Sequence, residues 1–158
     1  VLTHFKTLDD LKEIILEYEK ILLRPTRNLS HPKLYRRRDI GKSERMIKGI
    51  RVKDWFMSVD EKWVIPHDQM GLSFSSNYKN LKSVYKLKQR HNPSSKIHVF
   101  WVLEEADIPA GLKFMPDREK KGHYFLTVTE QMLLSVLVSK LKLIAQRMSI
   151  IRDGGEII

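Results

Sequence analysis

A chain of 158 residues with 42% hydrophobic side chains has room for one domain around a single core. It holds no cysteine, which excludes disulfides, thiol chemistry and cysteine-ligated zinc and fits a reducing, cytoplasmic setting. Its 29 basic residues against 19 acidic ones leave a net charge of +10, a balance that points to a polyanionic partner.

Residues 7–23 carry Leu8, Leu11, Ile14, Ile15, Tyr18 and Leu22 at three-and-four spacing, with Asp10, Glu13, Glu17 and Lys20 on the other face. That pattern predicts an amphipathic helix, capped by Thr7 with Asp10 and ended by Pro25. Residues 33–37 read as a short strand leaving the Ser30-His31-Pro32 turn. A hairpin is expected from 53–59 and 62–65 around Asp60-Glu61, followed by a strand over 71–75. Over 78–90 the apolar positions Leu81, Val84, Tyr85 and Leu87 predict a second helix with lysines on its exposed face, and Asn92-Pro93-Ser94-Ser95 breaks it. The run 97–103 is unbroken in β-branched and aromatic residues and predicts a central strand buried on both faces. Strands over 112–115 and 123–128 follow, joined by the charged loop 116–122. A largely buried helix runs from about Thr129 to about Met148, and Gly154-Gly155 mark a frayed end.

Helices flanking a block of short strands, without βαβ alternation, predict an α+β fold. We expect one domain over 1–158, with a helical N-terminal part over 1–30 and a mixed core over 31–152. The first residue is Val1 rather than Met, which reads as a trimmed chain or a domain cut from a longer one. There is no leader pattern, and no apolar run approaches the roughly 18 residues of a membrane span, so no membrane partner is expected.

The charge is concentrated. Residues 33–53 hold nine cations against Asp39 and Glu44, a local +7, and residues 79–96 hold six cations and no acid. Arg37, Arg38, Lys82, Lys86 and Lys88 are therefore the candidate nucleic-acid contacts, although the same field would serve an acidic protein inhibitor equally well. Glycine-rich phosphate loops, HExxH pairs and GxSxG elbows are absent, and the six histidines have no metal-ligand spacing, so no metal is expected.

Three stretches carry a resemblance. Leu34-Tyr35-Arg36 is an apolar-aromatic-arginine trio. Gly71-Leu72-Ser73-Phe74-Ser75-Ser76 places Ser73 and Ser75 on one strand face by the period of two. The third stretch runs Ile108-Pro109-Ala110-Gly111-Leu112-Lys113-Phe114, then Asp117, then His123-Tyr124-Phe125-Leu126, with Met132 inside the last helix. Together they resemble the ADP-ribosyltransferase superfamily, and within it type VI secretion effector toxins of that fold. Each stretch also has a plain alternative: a solvated arginine edge, an edge strand ending in a serine cap, and a packed histidine.

The resemblance implies a split β-sheet core flanked by helices and NAD as the cofactor. It assigns dinucleotide contacts to Tyr35, Arg36, Ser73, Ser75 and Tyr124. Of the glutamates, Glu105 stands four residues before Pro109, where bacterial transferase toxins place theirs; the effector toxins lack a glutamate in that register, which leaves His123 as the other candidate catalytic group. The implied function is toxin-type transfer of ADP-ribose to RNA or protein, restrained by a cognate antitoxin or immunity protein. Two alternatives remain open: a metal-independent endoribonuclease toxin using His123 and Tyr124, and a non-catalytic RNA-binding domain in which Trp55, Trp63, Tyr78 and Tyr85 stack on bases.

Overall fold

The computed structural model describes residues 4–5, 10, 12–13, 21–26, 34–35, 45–76, 79, 83, 86–87, 90, 99–104 and 107–153. Over these the fold is α+β, with one seven-stranded sheet, two small two-stranded ladders and one long helix. The strands are β1 (His4–Phe5), β2 (Ile21–Thr26), β3 (Met46–Ile47), β4 (Ile50–Arg51), β5 (Trp63–Val64), β6 (Leu72–Ser75), β7 (Val99–Glu104), β8 (Leu112–Pro116), β9 (His123–Val128), β10 (Met132–Leu133) and β11 (Ser149–Asp153). Helix α1 spans Leu134–Arg147. The large sheet has the order β1-β11-β7-β2-β6-β9-β8 and is antiparallel except where β1 runs parallel to β11.

The described part of the aromatic and β-branched run expected at 97–103 forms β7, an interior strand on which Trp101, Val102 and Leu103 are all buried. Trp101 and Leu103 join the cluster made by Leu72, Phe74, Leu112, Leu126 and Val128 from the sheet and Leu134, Leu137, Leu141 and Ile144 from α1. These helix positions recur every three or four residues and give α1 one apolar stripe, which packs on that face of the sheet. Val102, Ser75 and Thr127 are buried on the opposite face, so the sheet is covered on both sides.

Several expectations change. Residues 10, 12 and 13 are helical, but 21–26 belong to β2 and not to a helix continuing to 23. Ile21, Leu22 and Leu23 prolong the helical period by accident of an apolar run, and sheet pairing with β7 over six residues decides their state. Pro25 lies within the strand, beyond the β2–β6 pair Leu23↔Ser75, where among the described residues the strand pairs with β7 alone and a residue without an N–H is tolerated. Leu34 and Tyr35 form a bend rather than a strand. The helix expected from Thr129 begins at Leu134, because Met132 and Leu133 pair with Val64 and Trp63 instead. Its first amide, that of Leu134, donates to the Lys62 carbonyl at 2.9 Å. Val136 and Leu143 remain exposed on the outer face.

The hairpin expected around Asp60 is present in part: its turn forms and Met57 bridges to Val64, but Val52–Asp54 make a 3-10 turn rather than the start of a strand. The amide of Ser58 donates to the Trp63 carbonyl, Ser58 Oγ to the Asp60 carboxylate, and Glu61 takes φ 59° where glycine would be usual. A second hairpin, β3–β4, turns through Lys48-Gly49 with both φ positive, the two-residue geometry that follows the twist of the strands. The second expected helix is helical at each of its described residues, 79, 83, 86, 87 and 90. Gly154-Gly155 fall outside the described residues.

Candidate functional site

Strands β8 and β9 form a hairpin whose loop, 117–122, is closed by its own backbone: Asp117 N–H donates to the His123 carbonyl at 2.9 Å and His123 N–H to the Lys120 carbonyl at 3.2 Å. The loop is stapled to its surroundings. Arg118 N–H donates to Gln69 Oε1 at 3.0 Å, Gln69 Nε2 to the Pro116 carbonyl at 3.1 Å, and the Arg118 guanidinium pairs with Asp68 at 2.8 Å. From the other side the Ser76 amide and hydroxyl both donate to the Gly122 carbonyl, at 2.9 and 3.2 Å.

Within this frame Asp117 Oδ2 meets His123 Nδ1 at 2.9 Å, and Asp117 Oδ1 accepts the Glu119 amide at 2.8 Å. Both side chains are largely withdrawn from solvent, at 13% exposure for His123 and 14% for Asp117. Burial works to raise the Asp117 carboxyl. The Glu119 amide, the His123 ring through hydrogen bond and charge, and the Lys120 amide outweigh it and hold the group below the usual carboxylate range. An ionised carboxylate only accepts, so the contact is a hydrogen bond with the imidazole as its donor at Nδ1. The His123 and Phe125 rings pack T-shaped, with centroids 4.9 Å apart and planes at 89°, which fixes the imidazole from a second direction.

Cross-strand register defines what shares this face. His123 is the partner of Ser75 and Phe125 the partner of Ser73, so Ser73, Ser75, His123 and Phe125 stand on one side of β6 and β9. Ser75 is buried and Ser73 exposed, so the row runs from interior to surface.

Other candidates lie elsewhere. Tyr124 pairs with Phe74 and packs against the core cluster on the helix side of the sheet, the face opposite to His123. Tyr35 packs against the same cluster, with Lys142 Nζ of α1 5.8 Å from its ring centroid. Arg36, Arg37, Arg38, Lys82, Lys88 and Glu105 fall outside the described residues, whereas Lys86 is helical and exposed. Trp55 is a buried core residue and Trp63 is half-buried; Tyr78 and Tyr85 are outside the described residues. The contribution of Asp117 was not legible beforehand: it marked the loop, and only the closure of the β8–β9 hairpin brings it onto the His123 ring six residues later.

Two further features bear on what the protein can bind. A concavity of about 430 Å³ lies along α1, lined by Pro109, Ser135, Val136, Ser139, Lys140 and Leu143. Lys140, the cation among its described lining residues, is engaged with the Ala110 carbonyl at 2.6 Å. Among the described residues no group of three His, Cys, Asp or Glu side chains gathers to hold a metal, and no helix is long and apolar enough to cross a membrane. No family model, curated protein or solved structure matches this chain.

Proposed function

We propose that the protein is a toxin-type ADP-ribosyltransferase that takes NAD and passes ADP-ribose to a macromolecular acceptor, RNA foremost. The observation that carries this reading is the row Ser73, Ser75 and His123 on one face of two adjacent strands, with the His123 ring held by Asp117. Hydroxyls and an imidazole suit the hydroxyl-rich riboses of a dinucleotide, and Nε2 suits the removal of a proton from an acceptor. In the reaction the bond from ribose C1′ to the nicotinamide nitrogen breaks and nicotinamide leaves with the electron pair. The sugar cation is met by an acceptor oxygen or nitrogen, whose proton passes to a base. Glu105 is the carboxylate proposed to stabilise that cation, on the resemblance alone, as is Arg36 for the pyrophosphate. Tyr35 and Tyr124 lie on the helix side, so support from the geometry is confined to the serine–histidine row. Such an activity belongs in the cytoplasm, where NAD and RNA are found, and calls for a protein inhibitor.

The test is incubation with labelled NAD and either total RNA or total cell protein. Label should appear on an acceptor and fall on the order of 10²-fold or more with His123→Ala; label on neither acceptor sinks the proposal. A second reading draws on the same Asp117–His123 pair, since an imidazole with one nitrogen held by a carboxylate is also an acid–base group for RNA cleavage. RNA degraded without NAD would establish that endoribonuclease, and RNA retained without any product would leave a binding domain.

A further inference from the structure

We propose that Asp117 is a positioning residue, which fixes the tautomer and orientation of His123 so that Nε2 presents its lone pair to the face shared with Ser73 and Ser75. This rests on the reading of that face as the reactive one.

The geometry is that of a built device rather than a chance contact. Both oxygens of Asp117 are used: Oδ1 is tied to the Glu119 amide of its own loop, and Oδ2 reaches His123 Nδ1. The carboxylate therefore cannot swing away without losing a backbone bond. The backbone of the same two residues is joined independently by the Asp117 N–H to His123 carbonyl bond, so the spacing between them is set by the hairpin and not by the side chains. The T-shaped contact with Phe125 restricts the ring further, and Ser76 anchors the loop at Gly122, one residue before the histidine. A free neutral imidazole carries its proton mainly on Nε2; a carboxylate at Nδ1 reverses that preference.

Substitution by asparagine gives an opposite outcome that the structure makes specific. In Asp117→Asn the amide oxygen keeps the Glu119 bond, which turns the NH₂ group toward Nδ1. A donor there demands a lone pair on Nδ1 and drives the proton to Nε2. The size and hairpin bonds are unchanged, so the fold should survive.

Long-range ¹H–¹⁵N NMR of the histidine side chains reads the tautomer directly and requires no substrate. With its imidazole neutral, the wild-type protein should show the Nδ1–H form for His123, identified by its loss in His123→Ala, and Asp117→Asn the Nε2–H form. A wild-type Nε2–H form, or no change on Asp117→Asn, overturns the proposal, and the wild-type spectrum alone decides if the variant fails to fold. Transfer of labelled ADP-ribose should fall on the order of 10²-fold in folded Asp117→Asn. An inverted tautomer with undiminished transfer would also overturn the positioning role. If the wild-type protein transfers no label at all, the transferase reading fails, while the tautomer comparison still stands or falls separately.

Discussion

At Gly71 the chain enters β6 so close to β9 that a Cβ built there would lie 2.1 Å from the Leu126 carbonyl oxygen. The obstacle is backbone and cannot rotate aside, and φ of 152° adds strain for any side chain. Gly71→Ala is therefore expected to cost about 3 kcal/mol or more, with the unfolding midpoint in urea as the measurement and a wild-type midpoint as the refuting result. Asp117 supports a second prediction. Its carboxyl is held below the ordinary range in the folded protein, so it contributes stability above its unfolded pKa, and this is lost as pH falls through the lower folded value. Replacing it with asparagine should flatten the acid limb of a stability-against-pH curve below about pH 4. An acid limb identical to wild type would count against it. His123 and both serines were legible as residue types in strand-like stretches, but the loop bond that defines the site was not, because it depends on how a six-residue turn closes.

Helix α1 is the element on which the core depends most plainly. Leu134, Leu137, Leu141 and Ile144 are buried against sheet residues, and the last turn is finished by Arg147 donating to the Asp107 carbonyl at 3.0 Å. Leu141→Ala should destabilise the fold by about 2–5 kcal/mol, the cost of a cavity under a side chain with no exposure. Val136→Ala, on the outer face, should change stability by less than about 1 kcal/mol. Thermal unfolding of the two variants side by side checks both, and equal losses would show that the stripe is misassigned. Strands β6 to β9 could be read in advance since their runs are strand-like in composition and bounded by turn residues. Strands β2 and β11 could not. Ile21-Leu22-Leu23 continues a helical spacing, and Ser149-Ile150-Ile151 follows α1 without a break, so each is decided by a partner, β7, that is remote in sequence. The pairing of β5 with β10 was hidden for the same reason, whereas β3–β4 is a local hairpin whose two strands are too short to show a period.

Across the molecule, part of the positive charge among the described residues is already engaged. In the segment 33–53, Arg45 pairs with Glu61, and Arg51 makes two bonds of 2.8 Å to Asp54. Surface pairs of this kind are worth little to stability, yet they reduce what the segment offers a phosphate. The stretch 79–90 has its described cations Lys79, Lys86 and Arg90 exposed on a helix, where they can meet a polyanion. Changing Lys82, Lys86 and Lys88 together to glutamine should weaken RNA binding and lower the slope of log K against log salt by about 2, near 0.7 for each lost phosphate contact on a single strand. Fluorescence anisotropy across a salt series measures this, and an unchanged slope would place the docking surface elsewhere or favour an acidic protein partner.

The slot between β1 and β7 is filled by β11, which begins about 45 residues after β7 ends. During synthesis at about 5–20 residues per second, β7 is thus made some 2–9 s before its neighbour exists. For that interval a strand rich in aromatic and β-branched residues carries an unpaired edge, open to pairing with another nascent chain on the same messenger. Yield of native protein should then depend on translation rate and temperature more than its folded stability would suggest, and slow codons between positions 105 and 149 should lower it.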